Sequence, residues 1–87
     1  MNKDDQEKLD YTLLPATALA EVVRVLEFGA KKYGRDNWRT VPDLNRRYTA
    51  AAMRHLFKMS EGEAYDNESE LSHAAHVVCC MMFILNN

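Results

Sequence analysis

Cations and aromatic rings are concentrated in one short stretch of the sequence, FGAKKYGRDNWR at residues 28–39. Lys31 and Lys32 directly precede Tyr33, and Trp38 follows in the same stretch. Lysine provides a mobile point charge and arginine a planar fork of donors, and both suit phosphate oxygens. An aromatic ring can stack on a nucleobase, because every base has a π-face. The stretch therefore has the residue types expected in one wall of a nucleotide pocket.

A second stretch, EGEAYDNESE at residues 61–70, is rich in carboxylates, and we call it the acidic turn. Carboxylates this close repel one another unless a cation lies among them, and oxygen ligands select hard ions such as Mg²⁺ or Mn²⁺. The alternative is a solvated loop whose glutamates favour the start of the next helix through its dipole. Both interpretations stay open for the five acidic residues of the turn, Glu61, Glu63, Asp66, Glu68 and Glu70.

The three histidines of the chain fall close to the acidic turn. His73 and His76 are three positions apart on a predicted helix, which places them about 60° apart around its axis. They could reach one metal ion, one phosphate or a partner subunit, or each could have an ordinary hydrogen-bond partner. His55 follows Arg54 on the preceding predicted helix. Because the nearby cysteines have the pattern of buried residues, a zinc site that uses them is not expected.

Two glutamates of the first predicted helix invite different interpretations. Glu21 lies among apolar neighbours, and a carboxylate near a core edge needs a partner such as an arginine or a metal ion. Glu27 and Lys31 have the spacing of an ordinary exposed ion pair. Taken together, the cations, the acidic turn, the paired histidines and the aromatic rings indicate phosphate contacts, a metal cluster and base stacking. That combination fits a nucleotide.

Helical periodicity positions these residues on three helices. The first begins near Pro15, which suits a first helical turn, and ends at Gly34. The second runs from about Asn45 to Ser60, with Asp43 or Asn45 as its cap, and the third from near Ser69 to Leu85. No segment alternates apolar and polar residues, so we predict an all-α fold without strands. The residues expected to face inward are Leu19, Val22, Val23, Leu26, Ala30, Tyr48, Ala52, Met53, Leu56, Phe57, Met59, Leu71, Ala74, Ala75, Val78, Cys79, Met82 and Leu85.

Length and composition limit the organisation of the chain. Its 87 residues make one small domain, with a polar segment at residues 1–12 and the domain at residues 13–87. A net charge of −2 gives no general preference for nucleic acid or membrane. The polar start lacks the apolar core of a signal peptide, and the longest apolar run is too short to span a bilayer. Adjacent Cys79 and Cys80 are poorly placed to pair. We therefore expect a cytoplasmic protein without disulfides.

The third predicted helix is apolar nearly all round, which is unusual for a helix packed on one side only. In an isolated monomer its Met81, Phe83 and Ile84 would be exposed. Together with the short length of the chain, this pattern predicts a homo-oligomer, a dimer or larger, that covers them.

The segments LLPATALAEVVRVLEFGAKKYGRDNWR and RYTAAAMRHLFKMSEGEAYDNESELSHAAHVVCCMMFIL resemble the phage dATP/dGTP diphosphohydrolases, a compact branch of the MazG-like all-α nucleotide pyrophosphohydrolases. The resemblance runs from about Leu13 to Leu85. Its most specific pieces are FGAKKYG followed by Trp38, the pair Arg54–His55, and the pattern of Glu, Asp and His residues after Gly62. It implies a helical, oligomeric domain that hydrolyses a purine dNTP to the monophosphate and pyrophosphate with Mg²⁺ or Mn²⁺, in the host cytoplasm if the chain is phage-encoded.

The resemblance also assigns roles by position. The residues that it implies for catalysis are Glu21, Glu63 and Asp66. Those that it implies for metal binding are the same three together with His73 and His76. The substrate-binding set consists of Lys31, Lys32, Arg39, Arg54 and His55, with Tyr33 and Trp38 as the candidates to stack on the base.

Departures from the family pattern lead to a second hypothesis. Larger relatives carry ExxE on the first helix, whereas Glu21 is followed at that spacing by Arg24; histidines replace their ExxD pair, and Glu70 replaces a glycine. A site with fewer carboxylates holds Mg²⁺ less tightly. The alternative function is therefore a non-catalytic phage protein that sequesters a nucleotide-derived defence signal. A third hypothesis, a purely structural helical oligomer, explains the apolar last helix but not the basic–aromatic stretch.

Overall fold

Three α-helices form most of the computed structural model, which describes residues 6–87. They are α1 at Ala16–Tyr33, α2 at Leu44–Ser60 and α3 at His73–Asn86. Short 3-10 helices lie at Tyr11–Leu13 and Asn37–Thr40. Residues 6–87 contain no strand, only an isolated bridge between residues 65 and 72. The predicted all-α fold with three main helices is confirmed; residues 1–5 of the predicted polar segment lie outside the described residues.

Both ends of α1 follow the sequence signals. The helix begins directly after Pro15 and ends at Tyr33. Gly34 then takes a φ of 98°, a conformation that costs glycine little, and donates its N–H to the carbonyl of Ala30 at 2.8 Å. The end of α1 therefore turns the chain into the loop that carries Trp38.

The start of α2 lies one residue before the predicted position. Asp43 is in the N-cap position with a φ of 52°, but its side chain makes no cap hydrogen bond and instead pairs with Arg46. After the helix, Gly62 takes a φ of 93°, as a helix terminator can. The prediction of Asp43 as the cap is therefore correct in position but not in its hydrogen bond.

The predicted start of α3 near Ser69 is wrong, because the helix begins only at His73. Ser72 is its N-cap and accepts hydrogen bonds from the first backbone N–H groups of the helix. Upstream, Glu70 has a φ of 61°, which a right-handed helix cannot contain. The carboxylate of Asp66 also accepts hydrogen bonds from two backbone N–H groups of this segment, and these bonds hold the segment in a turn. Local hydrogen bonding thus delays the helix.

Helix α3 packs against both α1 and α2, which explains its apolar character. A buried cluster of Val22, Val25, Ala75 and Cys79 joins α1 to α3, and Phe83 packs against it. Phe83 and Ile84 are half-buried within the chain, so the expectation that they would be exposed in a monomer is wrong; Met81 is exposed as expected. None of the helices in the described part of the chain has both the length and the apolar character needed to cross a bilayer.

Cys79 and Cys80 are both buried and free, as predicted. Burial, with a smaller effect from Cys80, raises the pKa of the Cys79 thiol to about 12. Neither residue is therefore placed as a nucleophile or a thiolate ligand, because the thiolate is the reactive form.

Several side chains that were predicted to face inward are exposed. Because α1 and α2 each pack mainly against α3, the apolar stripe of each helix is wider than the surface that α3 covers. The predictions are wrong for Leu19, Val23, Met53, Leu56, Phe57, Met59, Val78, Met82 and Leu85, which are exposed large hydrophobic residues, and for the exposed Ala30 and Ala74.

We expect Glu70→Gly to raise the free energy of unfolding by about 1 kcal/mol, because a left-handed φ strains every residue with a Cβ and glycine adopts it freely. Urea unfolding followed by circular dichroism measures the change. Glu61→Gly is the matched control: it removes a carboxylate from the same turn at a φ of −85°, where we expect no gain. Equal stability of Glu70→Gly and the unmodified chain would contradict the strained turn.

Candidate functional site

A cleft of about 710 Å³ opens between α1, the loop that follows it, α2 and α3. Its volume is within the range of small-molecule sites, roughly 300–1,000 Å³. The fold therefore brings parts of the basic–aromatic stretch, the acidic turn and the histidines to one place. The predicted site residues that line the cleft are Lys32, Tyr33, Trp38, Arg54, His55, Asp66 and His76.

Trp38 holds the loop between α1 and α2 against α3. Its ring stacks on Phe83, with ring centres 4.9 Å apart and planes 15° apart, and Tyr48 packs on Phe83 from α2. The guanidinium of Arg39 lies 4.4 Å from the centre of the Trp38 ring, a cation–π contact. Much of Trp38 is therefore engaged within the chain. Tyr33, which is 62% exposed, is the freer of the two predicted stacking rings.

Lys32 connects the end of α1 to the acidic turn. Its Nζ lies 2.6 Å from Oε1 of Glu68 and 5.1 Å from the centre of the Tyr33 ring. The hydrogen bond to Glu68, and then the one to Tyr33, raises the pKa of Lys32 above its ordinary value. An ion pair this exposed contributes little to stability. Because Lys32 and Glu68 both line the cleft, a phosphate bound there would compete with Glu68 for the ammonium group.

Asp66 is one of two carboxylates of the acidic turn that reach the cleft, the other being Glu68. Its Oδ2 accepts hydrogen bonds from the backbone N–H groups of Glu68 at 3.0 Å and Ser69 at 2.8 Å. Burial acts to raise the pKa of this carboxyl, but the hydrogen bond from the Ser69 backbone and the other contacts outweigh it, so the pKa is lower than usual. Asp66 is therefore ionised at neutral pH and can hold a cation.

The histidines form one connected group around the buried His73, which is 2% exposed. Nε2 of His73 lies 2.6 Å from Oε2 of Glu63, and Nδ1 lies 2.8 Å from Nδ1 of His55. The ring of His55 stacks on that of His76, with centres 4.5 Å apart, and Nε2 of His76 lies 2.7 Å from Oγ of Ser69. Because a carboxylate only accepts, Nε2 of His73 donates to Glu63.

Burial lowers the pKa of both His55 and His76 below the usual histidine value. The neighbouring His76 and His73 lower the pKa of His55 further, and the charge of Asp66 opposes this without reversing it. Both rings are therefore neutral at pH 7. Neutral imidazole is the form that binds a metal ion.

Three of these side chains, His55, Asp66 and His73, could share a metal ion. One ligand atom of each lies within 4.8 Å of the others. All three line a second cavity of about 300 Å³, and His55 and Asp66 also line the larger cleft. Two imidazoles and one carboxylate are a donor set that a divalent metal ion accepts. A cation held there would therefore face whatever occupies the cleft.

The predicted metal ligands divide between this group and its surroundings. Asp66 and His73 belong to it, and His55, which the resemblance assigned to substrate binding, joins them. Glu63 lines the second cavity but contacts His73, and His76 contacts Ser69.

Three predicted site residues line neither of these cavities: Glu21, Lys31 and Arg39. Oε1 of Glu21 lies 2.5 Å from a guanidinium nitrogen of Arg24. Of the two partners expected for this carboxylate, an arginine or a metal ion, it therefore has the arginine. Arg39 is close to the cleft through its contact with Trp38. Among the basic residues of the stretch, Lys32 and Arg35 line the cleft, whereas Lys31 and Arg39 do not.

Glu27 and Phe83 are among the residues of the cleft wall that were not predicted as site residues. Glu27 lines the cleft, although its spacing to Lys31 had indicated an exposed surface pair. The repeat of Val23, Glu27 and Ala30 at i, i+4 and i+7 could have shown that they share one face, and all three line the cleft. Phe83 had no such local signal, because its contact with Trp38 joins residues far apart in the chain.

A family model described as dATP/dGTP diphosphohydrolase, N-terminal, matches residues 1–87. The chain belongs to this family. Over 88 residues it is 39% identical to a dATP/dGTP diphosphohydrolase of Salmonella phage PMBT28. The match covers 98% of this chain and 30% of that protein, so the chain spans about a third of the length of this curated relative. No solved structure matches the chain. The resemblance to the phage dATP/dGTP diphosphohydrolase family is thereby confirmed.

We expect Phe83→Leu to shift the fluorescence of Trp38, the only tryptophan of the chain, to longer wavelength. The substitution removes the ring on which Trp38 stacks, and an aromatic pair contributes roughly 0.5–1.5 kcal/mol beyond the area that it buries. Unfolding in urea should show a loss of that order. The control is Tyr11→Leu, which changes a 72% exposed ring and should alter neither measurement. An unchanged emission spectrum in Phe83→Leu would contradict the Trp38 packing described above.

Proposed function

We propose that the chain forms the nucleotide-binding domain of a metal-dependent dNTP diphosphohydrolase, which converts dATP or dGTP to the monophosphate and pyrophosphate. The observation that supports this most directly is that His55 and Asp66 belong both to the metal-binding group and to the cleft wall. Membership of the dATP/dGTP diphosphohydrolase family supports the same substrate class. Since the relative is a phage protein, we place the activity in the cytoplasm of an infected bacterial cell.

Cationic side chains around the two cavities suit a triphosphate. Lys32 lines the cleft, Arg54 lines both cavities, and Lys58 lines the smaller one. An arginine can hold two phosphate oxygens at once, and a lysine follows a phosphate as a point charge. We propose that Arg54, which lies where the two cavities meet, contacts the phosphate next to the reacting bond, and that Lys32 contacts a phosphate after leaving Glu68.

A divalent cation, Mg²⁺ or Mn²⁺ as the sequence predicts, would supply Lewis acidity and a bound water of lowered pKa. The chain would hold it through the carboxylate of Asp66 and the imidazoles of His55 and His73. Glu63 keeps the His73 ring in one orientation through its hydrogen bond at Nε2. Tyr33, the more exposed ring, is the better placed of the two aromatic candidates to stack on the base.

The placement of Glu21 favours a second function. This carboxylate, predicted to be catalytic, is paired with Arg24 and lines neither cavity, so it is not placed to bind a metal ion in the cleft. A cleft that retains its cations and rings could bind a nucleotide without turnover. The alternative proposal is therefore a protein that sequesters a nucleotide-derived defence signal.

Incubation with dATP, dGTP and a panel of linear and cyclic nucleotides, with Mn²⁺ or Mg²⁺, tests both functions. After denaturation, chromatography should show monophosphate and pyrophosphate at more than one equivalent per chain. Asp66→Asn should lower the rate by at least about 100-fold, as loss of a charge-stabilising group does, and Glu61→Gln, an exposed carboxylate of the same turn, should leave it unchanged. Intact nucleotide recovered from the protein would instead indicate sequestration. If no nucleotide is cleaved and none is retained, both proposals are contradicted.

We also propose that the chain forms a homo-oligomer. Met53, Leu56 and Phe57 lie on one face of α2 at i, i+3 and i+4, and each is 49% exposed or more. An apolar helix face this exposed is typical of a protein–protein contact. Light scattering should give a multiple of the 10.0 kDa chain mass, and Phe57→Asp should lower that mass, whereas Glu61→Gln should not. A mass of one chain at micromolar concentration would contradict the proposal.

A further inference from the structure

We propose that His55, Asp66 and His73 form a binding site for a divalent transition-metal ion of the Mn²⁺, Co²⁺ and Zn²⁺ class, which the site binds in preference to Mg²⁺. Glu63 is a positioning residue of this site and not a ligand. The inference refines the metal site of the proposed function and rests on that function for the role of the ion in hydrolysis, though not for its binding.

The separation of the two imidazoles supports a shared ion. The Nδ1 atoms of His55 and His73 lie 2.8 Å apart. Two nitrogens that each lie about 2.1 Å from one ion, at a right angle, would be about 3 Å apart. Binding would therefore replace the His55–His73 hydrogen bond without separating the two nitrogens, once each ring has turned its Nδ1 towards the ion and the proton on Nδ1 of His55 has moved to its other nitrogen.

The third ligand is held by hydrogen bonds that leave one oxygen available. Oδ2 of Asp66 accepts both backbone N–H groups of the turn. Its Oδ1 accepts no hydrogen bond from the described residues, and the carboxyl group lies beside the two imidazoles. The turn thus fixes the direction of Asp66 and presents its remaining oxygen as a ligand.

Glu63 contributes through His73. Its carboxylate accepts from Nε2 of His73, which fixes the neutral tautomer whose lone pair is on Nδ1. A carboxylate behind a ligating histidine orients the ring and increases its basicity. The same arrangement separates Glu63 from the ion, because its nearer oxygen is engaged on the far side of the ring.

His76 supports the site without ligating the ion. Its Nε2 is engaged by Oγ of Ser69 and its ring stacks on His55. The group therefore offers two imidazoles, not three. His76 instead restricts the orientation of the His55 ring.

The donor set determines the preference for metal. Mg²⁺ requires six oxygen ligands in near-ideal octahedral geometry and rarely accepts imidazole, whereas Mn²⁺, Co²⁺ and Zn²⁺ accept both donor types, with affinity rising from Mn²⁺ to Co²⁺. Arg54 and Lys58 line the same cavity as the ligands. Their positive charge opposes a lone cation, so we expect inorganic pyrophosphate to increase the affinity for the ion.

Calorimetric titration of the chelator-treated chain with Mg²⁺, Mn²⁺, Co²⁺ and Zn²⁺, without nucleotide, tests the site directly. We expect one ion per chain and affinity in the order Mg²⁺, Mn²⁺, Co²⁺, with visible absorption from bound Co²⁺ that reports nitrogen ligands. His55→Gln and Asp66→Asn should each weaken Co²⁺ binding by more than about 100-fold, and Glu63→Gln by about 10–100-fold. Glu61→Gln should remain within about threefold of the unmodified chain, a change below 1 kcal/mol.

The main test uses His55→Gln, at a half-buried position, because His73 is buried and its substitution could unfold the chain. Circular dichroism is used first to check that His55→Gln keeps the helical fold. Affinity for Mg²⁺ equal to that for Co²⁺ would overturn the inference, as would loss of Co²⁺ binding in His76→Gln but not in His55→Gln. Co²⁺ binding without dNTP turnover would overturn only the proposed function. Turnover with Mg²⁺ that His55→Gln leaves intact would overturn only the metal site.

Discussion

Burial of the polar ring of His73 is the constraint on which the site depends. A buried imidazole must have hydrogen-bond partners, because an unpaired buried polar group costs about 1–3 kcal/mol. Here one nitrogen contacts Glu63 in the acidic turn and the other contacts His55 on α2. The backbone N–H of His73 also donates to the carbonyl of Ala64. These contacts fix the start of α3, the acidic turn and α2 relative to one another, and they bring Asp66 beside the histidines.

Packing of α3 between α1 and α2 has the second large effect. The apolar residues of α3 are covered on two sides, which leaves α1 and α2 to form the walls of a cleft instead of packing closely together. Phe83 then anchors Trp38, and with it the loop that closes one end of the cleft. The same arrangement leaves apolar residues exposed on the outer face of α2. A small helical chain thus has both a cleft and an exposed apolar face.

Histidines at positions where the family resemblance implies carboxylates would change the chemistry of a metal site without removing it. Imidazole is a neutral donor, so the group of His55, Asp66 and His73 offers a single carboxylate. The carboxylate of Glu63 contacts His73, and that of Glu21 is paired with Arg24. Binding and hydrolysis are therefore separate questions for this chain, because a nucleotide could use the cations of the cleft, whereas a metal ion would find only one carboxylate in this group.

The sequence by itself determined the three helices, the end of α1 at Gly34, the burial of Cys79 and Cys80, and membership of the family. These follow from periodicity, glycine placement and motif spacing, which are properties of residues close together in the chain. It also predicted seven of the residues that line the cleft, which are Lys32, Tyr33, Trp38, Arg54, His55, Asp66 and His76.

Only the tertiary structure decided which of those residues meet. His55 and His73 are 18 positions apart and lie on different helices, and Trp38 meets Phe83 across an even longer separation. Contacts of that kind depend on how helices pack, and no local pattern specifies them. The start of α3 was decided in the same way, because the turn at Asp66 and its contacts outweighed the helical pattern of the residues before His73.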